Sequence, residues 1–327
     1  MTTAIRGAAA PTTGRPPRAP RGLTWTVLRL HRSALILWAC VVLSGAAVLL
    51  WAYGPGADAA QAEWDRMCAG REGCSWGDPI FDFDRVFRAA GLGITWIPAL
   101  VAAWAGACLV SRDMENGTAH LAWTQGVTPA RWLAAKLAVP AVLITAGTTV
   151  LVLLHRLVSD VHPLPLGRWS WYTDDNIRAN GTAAIAAPLL GLAIGALAGL
   201  ILRRALPALA VTLAATYALL TLATVASRNL VPGQTMVGTL ESGHRLPTHF
   251  IFGESDALTS TGARVPDPLC GDDDAKCLAA HDIVGYYTDY HPASDFWPLH
   301  LAETGLLLGA TAMATAAAFG LLRRRTA

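Results

Sequence analysis

Residues 183–227 read AAIAAPLLGLAIGALAGLILRRALPALAVTLAATYALLTLATVAS, and this stretch decides the fold. Two apolar runs, Ala183–Leu202 and Leu206–Ser227, are separated only by the RRA tripeptide at 203–205. Each run has about 20 residues, the length that a helix needs to cross the hydrocarbon core of a bilayer. Because lipid offers no hydrogen-bonding partner to the backbone, such runs cross the membrane as helices. The stretch therefore predicts a transmembrane helical hairpin with a tight basic turn.

The rest of the chain is apolar enough for four more spans of the same kind. Of the 327 residues, 53% are hydrophobic and only 15% are charged, and the mean hydropathy is +0.40. This composition excludes an ordinary soluble domain. We therefore predict an all-α, polytopic membrane protein with six transmembrane helices. The other four spans are predicted at Ala34–Tyr53, Leu92–Val110, Leu137–Leu157 and Trp297–Leu322.

The distribution of basic residues predicts how the spans are oriented. If the N-terminus is cytoplasmic, segments 1–33, 111–136, 203–205 and 323–327 face the cytoplasm. They hold 14 of the 25 Lys and Arg residues but only two acidic residues. Since Lys and Arg are enriched in cytoplasmic connections, we expect both termini to be cytoplasmic. Arg greatly outnumbers Lys, a bias typical of GC-rich bacterial genes. We therefore expect the protein to lie in a bacterial cell membrane.

This topology divides the chain into regions. The predicted regions are a disordered cytoplasmic tail at 1–22, an interfacial helix at 23–33, a six-helix transmembrane domain at 34–322 and a basic tail at 323–327. Within the transmembrane domain we expect outer loops at 54–91, 159–182 and 228–296, and a cytoplasmic loop at 111–136. The longest outer loop lies between helices five and six.

Four of the six cysteines fall in two close pairs within the outer loops. An extracytoplasmic compartment permits disulfides, whereas the cytoplasm seldom does. The disulfide candidates are therefore Cys68 with Cys74 and Cys270 with Cys277.

Two features inside the spans have both a structural and a functional interpretation. Gly191, Gly195 and Gly199 recur every four residues, so they share one helix face and allow another helix to approach closely. That helix belongs either to the same subunit, which we favour, or to a second subunit. Glu303 is the one acidic residue inside a predicted span. In the functional interpretation, Glu303 belongs to a transport pathway or couples helices. In the structural interpretation, it is a hydrogen-bonded carboxylate near the outer boundary of the membrane.

The chain lacks the familiar motifs of ATP and metal chemistry. It has only two lysines, and neither follows a glycine, so no GxxxxGK[ST] phosphate loop is present. There is no HExxH, CxxC pair or GxSxG either. We therefore expect no catalytic residue, metal or cofactor on this chain. The alternative is an integral membrane enzyme whose outer-loop site contains His281, Asp289 and His291.

The cytoplasmic loop carries the most specific pattern in the sequence. Residues 111–137 read SRDMENGTAHLAWTQGVTPARWLAAKL, which predicts a short helix, a break and a new helix. The pattern E-x-G-T…[ST]-P-x-x-R…K resembles that of ABC type-two exporter permeases. YHPASDFWPLHLAETG at 290–305 is similar to permease subunits common in actinobacteria. The residues that match the pattern are Glu115, Gly117, Thr118, Thr128, Pro129, Arg131 and Lys136.

The resemblance implies a function that spacing alone does not show. It implies a membrane-spanning subunit of an ATP-binding-cassette exporter, paired with an identical or different second permease. A separate cytoplasmic ATPase, which carries the ATP and Mg, would dock on the 111–136 loop. The few polar residues in the spans favour an amphipathic or drug-like substrate. A second alternative, outside the enzyme class, is a non-transporting membrane sensor or immunity protein. The net charge is only +2 and the basic residues are scattered along the chain, which argues against a nucleic-acid partner.

Overall fold

The computed structural model describes residues 32–69, 75, 77–161, 174–240, 250–270 and 275–326. The predicted tail at 1–22 and residues 23–31 of the predicted interfacial helix lie outside these ranges. The helices are α1 (Arg32–Trp51), α2 (Ala57–Met67), α3 (Asp78–Glu115), α4 (Thr118–Thr124), α5 (Pro129–Val161), α6 (Asp174–Asn180), α7 (Ala183–Leu202), α8 (Ala205–Leu230), α9 (Ala275–Ala280) and α10 (Phe296–Thr326). The strands are β1 (Gln234–Thr239), β2 (Ile251–Thr259), β3 (Arg264–Val265) and β4 (Ile283–His291).

In the described part of the chain, six helical segments are long and apolar enough to cross a membrane. They are α1 together with α2, and α3, α5, α7, α8 and α10. The predicted six-helix, all-α polytopic architecture is therefore confirmed. Because successive spans run in opposite directions, the bundle has two ends. We call the end with Arg203, Arg204 and Arg323 the basic end, and the end that carries the four strands the sheet end.

Helix α7 lies at the centre of the bundle. Its sequence is apolar all round, the pattern of a helix that other helices surround. Fourteen of its 20 residues are buried. It contacts α3 along most of its length and also packs against α10, α8 and α5. The first helix of the hairpin thus supplies the core of the bundle.

The first span is longer than predicted. Where the sequence predicts an outer loop from Gly54, the chain passes through one turn of π-helix at Ala52–Gly56 and continues as α2. Pro55 lies inside this turn and has no N–H to donate. The wider turn accommodates the proline without ending the helix.

Helix α3 also extends into the predicted outer loop at 54–91. It begins at Asp78 rather than near Leu92 and has 38 residues, about 57 Å at 1.5 Å per residue. That is longer than a hydrocarbon core of about 30 Å, so its first turns project beyond the core. There Phe83 and Phe87 are buried against Ala57 and Val158. Burial of these aromatic rings holds α2 against α3 at the sheet end.

The segment predicted as the long outer loop at 228–296 contains a sheet. Its strand order is β1-β4-β2-β3, and all pairs are antiparallel. The segments QTMVGT and IVGYYTDYH are rich in β-branched and aromatic residues, which are enriched in strands. The predicted outer loop between the fifth and sixth spans is therefore not an irregular connection, because these segments form paired strands. The predicted basic tail also differs, since α10 continues through Thr326.

One cysteine pair closes a loop beside this sheet. Cys270 and Cys277 form a disulfide, with Cα atoms 5.8 Å apart. Cys68 is also disulfide-bonded. Its predicted partner, Cys74, lies outside the described residues, so the Cys68–Cys74 pairing stays a prediction.

An exposed ionic network joins three strands of the sheet. Thr235 donates a hydrogen bond to Asp289, and Arg264 Nη1 lies 2.9 Å from Asp289 Oδ2. Arg264 also stacks over the Tyr287 ring, 4.2 Å from its centroid. The hydrogen bond from Thr235 and the charge of Arg264 hold the pKa of the Asp289 carboxyl below its ordinary value of 3.8.

We expect Asp289→Asn to lower the thermal stability of the sheet slightly at neutral pH. The effect is small because the pair is exposed to solvent. Since the folded pKa is depressed, the carboxylate stabilises the sheet above pH 3.8 and loses this effect as the pH falls through the folded value. Melting temperatures of wild type and variant should therefore converge in acid. A constant difference at every pH would contradict this assignment, and Asp82→Asn serves as a control outside the sheet.

Candidate coupling site

We call residues 111–136 the coupling element, since the family resemblance implies that an ATPase docks on them. It comprises the end of α3, all of α4 and the start of α5. Gly117 and Gly126 stand at the two ends of α4 with φ values of +70° and +88°. Such positive φ values are routine only for glycine. These two turns change the direction of the chain before and after α4, so that α5 runs back along the bundle.

Helix α5 begins with a capping arrangement. Thr128 Oγ1 accepts a hydrogen bond from the Arg131 backbone N–H at 3.4 Å. Pro129 occupies the first position of the helix, where its missing N–H costs nothing. The predicted Thr-Pro pair thus sets the start of α5 and leaves the Arg131 side chain exposed.

Lys136 is buried, whereas a residue that contacts a docked partner would be exposed. Its Nζ lies 2.7 Å from Asp113 Oδ2 and donates to the Leu109 carbonyl at 2.8 Å. The same ammonium lies 5.4 Å from the centroid of the Trp132 ring. Only 6% of Lys136 is exposed. It therefore joins the start of α5 to the last turns of α3, and its partner Asp113 is a residue that sequence reasoning left out of the site.

Glu115 contacts the central hairpin. Its Oε2 accepts a hydrogen bond from the backbone N–H of Ala205, the first residue of α8, at 3.3 Å. A carboxylate there also interacts favourably with the positive end of the α8 dipole. The residue before the turn, Arg203, ends α7 in the left-handed conformation with φ +53°. Glu115 thus connects the coupling element to the α7–α8 turn.

The inner side of α4 is apolar and packs on the bundle. Ala119 is fully buried in a cluster with Trp132 and Leu133 of α5, Leu200 of α7 and Leu322 of α10. The Trp123 and Trp132 rings meet edge to face at 5.9 Å. Helix α4 therefore shares an apolar cluster with α3, α5, α7 and α10, and among these it packs chiefly on α3.

The outer side of α4 is exposed and of mixed polarity. Leu121, an apolar residue, has 59% of its surface exposed. Its exposed neighbours in the coupling element are Thr118, His120, Thr124, Gln125 and Arg131. The arrangement is a small, rigidly supported surface with one apolar residue among polar ones.

The glycine ridge of α7 faces α3 of the same chain. A Cβ on Gly195 would lie 2.5 Å from the Ala107 nitrogen and 2.8 Å from the Ala103 oxygen. A Cβ on Gly191 would lie 3.0 Å from the nearest α3 backbone atom, and one on Gly199 would lie 3.1 Å from its nearest. The ridge therefore brings the backbones of α3 and α7 together within one subunit.

Glu303 lies toward the sheet end, beside a small cavity. Its Oε1 accepts a hydrogen bond from the Thr224 hydroxyl of α8 at 2.8 Å. The adjoining cavity is about 20 Å³, room for roughly one water molecule. Nearby, Asn180 Oδ1 accepts from His155 Nδ1 at 2.7 Å, and Thr182 bonds to Thr304. Glu303 thus belongs to a set of polar contacts that joins α5, α6, α8 and α10.

Two residues of the alternative outer-loop site have other partners. Asp289 is bonded to Arg264 and Thr235, and His291 Nδ1 lies 3.1 Å from Asp295. Within the described ranges, no group of three or more His, Cys, Asp or Glu residues is placed to hold a metal ion.

These observations define a class of protein: a six-span membrane protein with a folded helical element between its second and third spans at the basic end. The family model of ABC-2 membrane transporter related proteins matches residues 39–228, more than half of the chain, and the chain belongs to that family. The matched range includes the coupling element and the glycine ridge. The sheet and α10 lie outside it. No curated protein and no solved structure matches the chain.

Proposed function

We propose that this permease subunit exports an amphipathic or drug-like substrate and is driven by a separate ATP-binding-cassette ATPase that docks on the coupling element. The observation that carries the proposal is the construction of α4. One side belongs to an apolar cluster that also contains residues of α3, α5, α7 and α10, and the other presents exposed Leu121 and polar neighbours. In this proposal, a push on the exposed side displaces that cluster and the spans that contribute to it.

The contacts of the coupling element suggest how movement reaches the core. Glu115 is bonded to the first residue of α8, and Lys136 joins α5 to α3. The apolar cluster beneath α4 contains both Ala119 of α4 and Leu200 of α7, the central helix. In this mechanism, ATP binding by the partner displaces α4, and the α7–α8 hairpin moves with it. ATP and Mg act on the partner, and this chain supplies no bond-making group.

The export proposal needs a substrate whose affinity or access differs between two arrangements of the bundle. The spans offer mostly apolar surface, and several large apolar side chains on α8 are exposed, among them Leu206, Tyr217 and Leu222. Such surfaces suit an amphipathic molecule better than a small ion. A second permease subunit, identical or different, would complete the route.

A charge reversal at Arg131 tests the docking surface. Arg131 is exposed on the coupling element, so Arg131→Glu should weaken ATPase association about tenfold without preventing membrane insertion. The measurement is a mild-detergent pull-down of the full tagged chain, with identification of the co-purified ATPase and an ATP hydrolysis assay. Glu115→Ala should retain the ATPase but uncouple hydrolysis from export, since it breaks the contact with α8. Arg85→Glu, at the sheet end, is the matched control.

Two results would contradict the proposal. One is a wild-type preparation that is repeatedly free of any ATP-binding-cassette subunit. The other is unchanged ATPase recovery and export with both variants of the coupling element.

A further inference from the structure

An apolar groove opens between α1, α3 and α5 in the half of the bundle nearest the basic end. It has a volume of about 210 Å³. Trp38, Val101 and Ile144 belong to its lining, and Trp38 is held in place because its Nε1 donates to the Leu143 carbonyl at 3.1 Å. Leu37 and Trp104 also line it and are 58% and 39% exposed. The groove is therefore accessible from the bilayer.

The length of the groove fits one lipid chain. On α3 its lining runs from Val101 to Arg112, a rise of eleven residue steps or about 17 Å at 1.5 Å per residue. Half of a hydrocarbon core of about 30 Å is close to this length. A single acyl chain of one leaflet would therefore extend along the whole groove.

A positive charge stands at one end of the groove. Arg112 is the one charged residue in the described lining, and it is exposed. Arg32 begins α1 two residues before Ala34, which also lines the groove. Within the described ranges neither arginine forms an ion pair. A guanidinium binds phosphate oxygens with two parallel hydrogen bonds, so this end suits a phosphate group.

We propose that the groove is a binding site for an anionic phospholipid. One acyl chain lies between α1, α3 and α5, and the lipid phosphate pairs with Arg112. The apolar wall alone would accept any lipid. The guanidinium at its end selects an anionic headgroup, because a zwitterionic lipid brings its own positive charge to the same place.

The site adjoins the coupling element. The Arg112 carbonyl accepts a hydrogen bond from Asn116 at 2.9 Å, and the next residue, Asp113, pairs with Lys136. A lipid bound to Arg112 therefore restrains the last turn of α3, from which the coupling element begins. The lipid acts on this chain directly, so its binding does not depend on the proposed ATPase partner.

The test uses the purified full-length chain in nanodiscs with photoreactive lipids. A diazirine on the acyl chain of phosphatidylglycerol should label peptides that contain Trp104 or Leu37, and it should do so more strongly than the same probe on phosphatidylcholine. Arg112→Gln should reduce this preference about fivefold, the effect of one basic residue near an anionic headgroup. Arg131→Gln, which removes an exposed charge outside the groove, should leave it unchanged.

A second variant fills the groove itself. Ala105 lines the groove, so Ala105→Phe should lower the labelling by both lipids, whereas Ala316→Phe on the exposed side of α10 should not. Equal labelling by the two lipids in the wild type would overturn the proposal, as would an equal loss of preference with Arg112→Gln and Arg131→Gln. Labelling that maps only outside α1, α3 and α5 would overturn it too. If Ala105→Phe does not fold, the comparison of the two arginine variants decides the question.

Discussion

Gly195→Ala is expected to destabilise the bundle more than any other single-methyl addition on α7. The new Cβ would lie 2.5 Å from the Ala107 nitrogen and 2.8 Å from the Ala103 oxygen, both backbone atoms of α3. A side chain in that position could rotate away, but a helix backbone cannot. The two central helices must therefore separate along their closest contact.

The expected loss is at the upper end of about 1–3 kcal/mol for an overpacked site. Alanine is a better helix former than glycine by about 1 kcal/mol, so the measured loss understates the steric cost. Gly191→Ala and Gly199→Ala should be milder, since their nearest α3 atoms are at 3.0 and 3.1 Å. Thermal unfolding in detergent, followed by size-exclusion chromatography, gives the order of the three variants.

Gly309→Ala is the matched control for this series. Gly309 lies in α10, and nothing approaches its Cβ position within 4 Å. Its substitution has the same effect on helix propensity without the contact, so it should be neutral or stabilising. If Gly195→Ala behaves like Gly309→Ala, then α7 does not pack on α3 as described, and the intersubunit alternative for the ridge gains support.

The spans were predictable from sequence because their physical requirement is simple. A run such as Ala183–Leu202 must be helical in lipid whatever surrounds it. The ends were less predictable, since the hydropathy of a run says nothing of how far a helix continues outside the membrane. Helix α3 starts at Asp78 because Phe83 and Phe87 find apolar partners in α2 and α5, a contact between distant parts of the chain.

The location of the coupling element in the sequence was predictable, but its contacts with the rest of the bundle were not. The pattern of Glu115, Gly117 and the Thr128-Pro129 pair locates the segment and its turns. It does not reveal that Glu115 bonds to Ala205, because those residues are 90 positions apart. Likewise the sequence does not pair Asp113 with Lys136, since only the packing of α5 against α3 brings the two charges together.

Lys136→Met is expected to damage stability rather than ATPase binding. Lys136 is 6% exposed, and its ammonium is the partner of both Asp113 and the Leu109 carbonyl. Methionine preserves the length and the apolar stem of the side chain but leaves the carboxylate without its cation. Breaking a buried ion pair costs about 3–5 kcal/mol. Asp113 retains 24% side-chain exposure and can regain some water, so about 2–3 kcal/mol is expected here.

A double-mutant cycle with Asp113→Asn isolates the pair. Asp113→Asn alone should cost at least as much as Lys136→Met, because it leaves the more deeply buried charge unpaired. The double variant should be more stable than the sum of the two losses predicts, with a coupling energy of about 1 kcal/mol or more. Arg85→Met provides the control, since its pair with Asp82 is exposed and long at 3.7 Å and should contribute almost nothing.

The same cycle separates the structural part of the coupling element from its surface. If Lys136 acts by joining α5 to α3, a Lys136→Met protein held at a temperature where it is still folded should bind the ATPase as wild type does, whereas Arg131→Glu should not. A Lys136→Met variant of normal stability that fails to bind the ATPase would reverse this division. It would mean that the lysine reaches the surface when the partner docks, and that the buried pair must open for coupling to occur.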